Sequence, residues 1–122
     1  MRILLIEEQI DISNSLVEKL KQSDHKVTIK TSALGALEYL EKNRVDILVC
    51  DNNLKYLNSL ALSQIVKRKY SVATVLIGNK FDAKISNHFD GFILRPFDYG
   101  ELDELIRSVV SEKISLRPQL EL

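Results

Sequence analysis

Two apolar runs in this chain stop abruptly at acid. Val45-Asp46-Ile47-Leu48-Val49-Cys50 leads into Asp51, and Ile3-Leu4-Leu5-Ile6 leads into Glu7 and Glu8. Short, nearly continuous apolar runs read as parallel strands buried on both faces, and ligands of open α/β sheets bind at the carboxyl ends of such strands. Lys26-Val27-Thr28-Ile29-Lys30 alternates instead, like a strand covered on one face near a sheet edge. Val72 to Ile77, ending at Gly78, and Gly91 to Leu94, followed by Arg95-Pro96-Phe97, complete five strand-like runs.

Helical spacing fills the intervals. Ile12, Leu16, Val17 and Leu20 form one apolar stripe behind a cap at Asp11 or Ser13, with Glu18, Lys19 and Lys21 outward. Thr31 or Ser32 caps a second helix that turns Leu34, Leu37 and Leu40 inward, and Asn58 or Ser59 begins a third carrying Leu60, Leu62, Ile65 and Val66. The third ends in Lys67-Arg68-Lys69, cations that favour the negative end of a helix dipole. Residues 81–89 support no more than one or two turns, and Asp98 caps a last helix with Leu102, Leu105, Ile106, Val109 and Val110 inward. Strand and helix thus alternate five times, which predicts right-handed crossovers and a doubly wound α/β fold with a mostly parallel sheet.

A length of 122 residues suits one domain. It is placed at residues 1–113, with 114–122 as a tail or linker in which Pro118 argues against further helix. No apolar run approaches the ~20 residues of a bilayer span, and Met1-Arg2 enters a strand with no signal-peptide pattern, so no membrane role is expected. Equal numbers of basic and acidic residues, 17 each, give no basic footprint for nucleic acid. The single cysteine, Cys50, excludes an internal disulfide, reads as an inert buried thiol and fits the reducing cytoplasm. His25 and His88 lack metal-ligand spacing and read as surface residues, and no glycine-rich nucleotide loop follows any strand.

The chemistry therefore gathers at the strand ends. If Glu7, Glu8 and Asp51 share one crevice, each carboxylate pair repels by ~4 kcal/mol at ~4 Å and an effective dielectric near 20. Such a cluster needs a cation or a shared proton, and a hard divalent ion with oxygen ligands answers the first need. A solvated acidic rim is the bland alternative.

The acid pair Glu7-Glu8 after the first strand, Asp51 ending the third, and Arg95-Pro96-Phe97 after the fifth together resemble a bacterial response-regulator receiver domain, over Met1 to about Glu112. The resemblance implies a flavodoxin-like five-stranded parallel sheet of order 2-1-3-4-5, here with a shortened fourth helix. It also implies that Asp51 accepts a phosphoryl group from a histidine kinase. Glu7, Glu8 and Asp51, with the backbone carbonyl of Asn53, would hold Mg²⁺, and Arg95 would pair with phosphate.

The chain departs from that family at several positions. Gly78 stands where Thr or Ser is usual, so no hydroxyl can turn toward a modified Asp51. A hydrogen bond to a charged group is worth ~1.5–3 kcal/mol, and its loss removes roughly a factor of ten from any bias toward an activated state. Arg95 replaces a lysine and could equally lie across the acids in place of a metal. Glu8 is a methylene longer than the usual aspartate, Phe92 takes the mobile aromatic position without a hydroxyl, and Lys55 and Ser59 replace a usual Pro and Gly. Leu105 and Glu112 stand where paired members carry basic residues, so a homodimer through that face is not assumed.

Two functions follow as expectations. One is a receiver that takes phosphate at Asp51, transmits a weakened switch and regulates an output module. The resemblance implies that such a module is often a winged-helix DNA-binding domain, which would be the route to DNA. The other is a phosphorylation-independent pseudo-receiver for protein interaction or dimerisation. A metal-dependent phosphohydrolase would need a general acid, and only the amides Asn52 and Asn53 lie nearby, so an enzyme is not expected.

Overall fold

The alternation resolves into β1 (Arg2–Ile6), α1 (Ile10–Gln22), β2 (Lys26–Lys30), α2 (Ala33–Lys42) and β3 (Ile47–Asp51). The second half adds α3 (Ser59–Lys69), β4 (Ala73–Gly78), α4 (Ala83–Ser86), β5 (Gly91–Leu94) and α5 (Tyr99–Leu120). A computed structural model describes residues 1–8, 10–52 and 58–120. All four strand pairings are parallel, and the sheet order is β2-β1-β3-β4-β5.

Burial follows from that order. The central strands β1, β3 and β4 are flanked on both sides and covered on both faces, which is why their sequences are apolar throughout. Successive side chains point to opposite faces. Ile3, Leu5, Ile47, Val49, Val75 and Ile77 pack toward Val17 and Leu20 of α1 and Leu102, Ile106 and Val109 of α5. Leu4, Ile6, Leu48, Cys50 and Leu76 pack on the other face toward Ala36 and Leu40 of α2 and Leu62 and Val66 of α3. The edge strand β2 is only partly buried, as its alternation predicts.

Caps fall largely where polar residues precede apolar stripes. Ser32 accepts from the Gly35 N–H at 3.0 Å, Asn58 from that of Ala61 at 2.8 Å, and Asp98 from that of Gly100 at 3.1 Å. The first helix is the exception, since it begins at Ile10 and so contains both Asp11 and Ser13, the expected caps. Helix α4 has four residues, the short element expected there.

Four other expectations are corrected. Leu34 is 66% exposed because α2 turns Ala33, Ala36 and Leu40 to the sheet, and Leu34 lies about 100° round the helix from Ala33. Ile65 likewise lies outward while Leu62 and Val66 are fully buried. Helix α5 continues to Leu120 through the segment expected to be a non-helical tail. Pro118 thus lies within the last turn of α5, near its end, rather than beyond it.

His25, expected at the surface, is buried. The chain leaves α1 through Asp24 at φ 65°, a left-handed position that Asp tolerates, and this turn delivers His25 beneath α5. Its Nε2 lies 2.6 Å from Asp103 Oδ1, and Arg107 Nε donates to Asp103 Oδ2 at 3.1 Å. Burial works against the Asp103 charge, but the hydrogen bonds from His25 and Arg107 outweigh it and hold the carboxyl below its ordinary pKa. Because the folded-state pKa is depressed, the resulting stability is complete above pH ~4 and is lost as pH falls through the lower, folded value. Asp103→Asn should therefore lower the urea midpoint at neutral pH and flatten its fall in acid. Unchanged midpoints across that range would show that the cluster contributes nothing to stability.

Candidate functional site

The sheet's register builds the site. Ile6 pairs with Cys50, so the next residues, Glu7 and Asp51, stand side by side at the carboxyl ends of β1 and β3. Glu7 N–H donates to Lys30 O at 3.1 Å and Asn52 N–H to Ile77 O at 2.9 Å, which extend the ladders just past the strands. At the far side Gly78 pairs with Leu94, and Arg95 N–H donates to Gly78 O at 2.9 Å. Two-residue alternation then places Glu7, Asp51 and Arg95 in phase with Leu5, Val49 and Ile93, all on the α1 and α5 face. The Arg95–Pro96 peptide is cis.

The guanidinium spans the gap between the strand ends. Arg95 Nη2 forms an ion pair with Asp51 Oδ2 and reaches Glu7 Oε2 at 3.5 Å. Glu7 and Asp51 are 7% and 6% exposed, so their charges are largely withdrawn from water. Two carboxylates about 5 Å apart repel by roughly 3 kcal/mol at an effective dielectric near 20, and a cation between them reverses that sign. The neighbouring Cys50 thiol is pushed up in pKa by burial first and then by the charges of Asp51 and Glu7. It is buried and donates to Asp51 O at 3.2 Å, an inert thiol as expected.

Glu8 is half-buried at the bend that follows, while Asn53 and Lys55 lie outside the described residues. Among the described residues no group of three His, Cys, Asp or Glu side chains is arranged to hold a metal ion. Of the expected residues, Glu7 and Asp51 are brought together, and Arg95 Nη2 contacts one oxygen of each. Glu7 and Asp51 are hard donors suited to Mg²⁺, but with the guanidinium on both, the described residues do not fit the ion.

Ser59, buried at the start of α3, donates to Asn52 Oδ1 at 2.8 Å and ties that helix to the end of β3. At β4 the missing hydroxyl is replaced by an aromatic ring. A Cβ on Gly78 would lie 3.2 Å from Phe92 Cε2 and 3.6 Å from its Cζ. Phe92 in turn meets Phe81 edge to face, with centroids 5.4 Å apart and planes at 76°. Gly78 and Phe92 therefore form a packed unit on the opposite face from Arg95.

Sequence reasoning gave the β4–β5 pairing but missed the side-chain link between β4 and Asp90, the residue before β5. Asp90 Oδ2 accepts from the Thr74 N–H at 2.8 Å and from its hydroxyl at 3.2 Å, which anchors the β5 end that carries Phe92. A buried Thr inside an otherwise apolar run was the available signal. A cavity of about 200 Å³ lined by Arg2, Lys26, Tyr39 and Arg44 lies at the amino ends of the strands, away from these carboxylates. No helix of the described residues is long and apolar enough to cross a membrane.

Residues 3–107 match the family described as the response regulator receiver domain. Response regulator ArlR of Staphylococcus haemolyticus is 26% identical over 113 residues, which cover 88% of this chain and 52% of that protein. Transcriptional regulatory protein CrdR of Helicobacter pylori is 25% identical, over 98% of this chain and 60% of its own length. The chain thus spans between half and two thirds of these relatives. Among solved structures, the signal receiver domain of an HD domain-containing protein from Pseudomonas fluorescens aligns with TM-score 0.85 and 21% identity, covering 93% of this chain and 97% of that one. Chemotaxis response regulator CheY4 of Vibrio cholerae aligns with TM-score 0.79 and 17% identity, covering 88% and 97%. At such identities the structural likeness speaks for the fold alone.

The packing at β4 carries a prediction. Gly78→Thr should overpack against Phe92 and cost about 1–3 kcal/mol in urea unfolding, with displaced Phe92 ring resonances. A stable variant with unmoved ring resonances would show that the ring does not fill this space.

Proposed function

This chain belongs to the response regulator receiver domain family, and we propose that Asp51 is the residue that accepts a phosphoryl group from a histidine kinase. The observation that carries this reading is the placement of the Asp51 carboxylate at the end of the central strand, beside Glu7 and under the Arg95 guanidinium. An Asp51 oxygen attacks phosphorus, the P–N bond of the donor phosphohistidine breaks, and the leaving imidazole keeps the electron pair and takes up a proton. Donor and acceptor are both anionic, so the protein's task is to neutralise charge and align the groups in line. Arg95 can follow the charge from the carboxylate to the phosphoryl oxygens, which its planar fork grips in two places.

The consequence of modification is a weak switch. Gly78 offers no hydroxyl to the phosphoryl group, and Phe92 is packed where that side chain would stand. Among the described residues, conformational bias then runs through Arg95 and its backbone at the end of β5. The relatives named as a response regulator and a transcriptional regulatory protein support a role in regulating an output module, with any DNA contact outside this domain; the single cysteine, buried and unpaired with another, fits the reducing cytoplasm. Residues 114–122 serve as the lead into that module. The phosphorylation-independent interaction module is the less favoured reading.

Incubation with acetyl phosphate or a phosphorylated kinase domain, followed by intact-mass measurement, should show a gain of one phosphoryl group that Asp51→Asn abolishes while the fold is retained. No gain from any donor would remove the proposal and leave the interaction module.

A further inference from the structure

We propose that Arg95 is a built-in counter-cation that excludes divalent metal from this site, so that metal and guanidinium compete for the same oxygens of Glu7 and Asp51. The inference deepens the receiver reading by stating how the acceptor site is neutralised at rest. One nitrogen, Nη2, touches both carboxylates, and both are more than nine-tenths buried. A divalent ion would have to displace it or add its charge beside a guanidinium already in place. A guanidinium does not lose its proton in proteins, so the competitor is present at every pH the fold survives. It is also covalently supplied, anchored by Arg95 N–H to Gly78 O at 2.9 Å, and needs no recruitment from solution.

Two consequences follow. The folded chain does not depend on Mg²⁺ for the stability of its acidic crevice. Loss of the guanidinium removes these ion pairs from two buried carboxylates, and a divalent ion can then supply positive charge at the same oxygens.

The test compares the parent, Arg95→Ala, and Arg95→Ala combined with Asp51→Asn, each titrated with Mg²⁺ at constant ionic strength. Urea midpoints report stability and Mn²⁺ spin resonance reports binding. The parent should show a flat midpoint and no saturable Mn²⁺ uptake through the millimolar range. Arg95→Ala should start less stable and bind the metal at least about tenfold more tightly. At a metal concentration about 100 times its Kd, its folding equilibrium should shift about 100-fold toward the native state. Adding Asp51→Asn should abolish both effects.

Equal metal binding by parent and Arg95→Ala would overturn the proposal, as would an alanine variant that folds and takes up no metal. If Arg95→Ala folds only with Mg²⁺, that dependence supports the proposal; if it folds under no condition, Arg95→Gln takes the same titration with the same readings. None of these readouts involves phosphate, so failure here is separable from failure of Asp51 as acceptor.

Discussion

Two negative charges withdrawn from water and one positive charge between them form the constraint on which this site depends. A parallel sheet necessarily brings its strand ends to one edge, and here β1 and β3 each deliver a carboxylate there, 7% and 6% exposed. Left alone, the pair would oppose the packing that buries them. Arg95 resolves the conflict from two strands away, since β5 ends beside β4 and the side chain is long enough to cross to Asp51 and Glu7. On the proposed reading, the same charge would meet an incoming phosphoryl group.

The same alternation that aligns the charges separates two jobs. Glu7, Asp51 and Arg95 lie on the α1 and α5 face, while Gly78 and Phe92 lie on the other, toward the short α4. In this chain the second face is closed by packing. The half-buried Phe92 ring stands 3.2 Å from where a Cβ on Gly78 would lie and meets Phe81 edge to face, so a side chain at 78 and this ring draw on the same space.

Much of this was legible in the chain. Apolar runs that stop at Glu7, Asp51 and Gly78 mark the central strands, and the alternation of Lys26–Lys30 marks the edge, because full or half burial is written directly in hydrophobic period. The caps Ser32, Asn58 and Asp98 follow from local hydrogen bonding and were equally readable. What stayed hidden depends on contacts distant in sequence. His25 is buried only because Asp103 and Arg107, about 80 residues later, arrive above it with suitable partners. Leu34 and Ile65 were misassigned because a helix with many apolar residues does not reveal which stripe its partner selects. That Arg95 pairs with Asp51 and Glu7 depends on how β1, β3 and β5 are spaced at their ends, which no local pattern in the chain records.

The account stands on the guanidinium being held between Asp51 and Glu7 in solution. Arginine-detected ¹⁵N NMR observes that directly, through rotation about the Cζ–Nη bonds and the exchange of the Nη protons. The account predicts a separate, slowly exchanging Arg95 Nη signal that Asp51→Asn shifts and broadens. An Arg95 signal averaged with those of exposed arginines, and indifferent to Asp51→Asn, would contradict it.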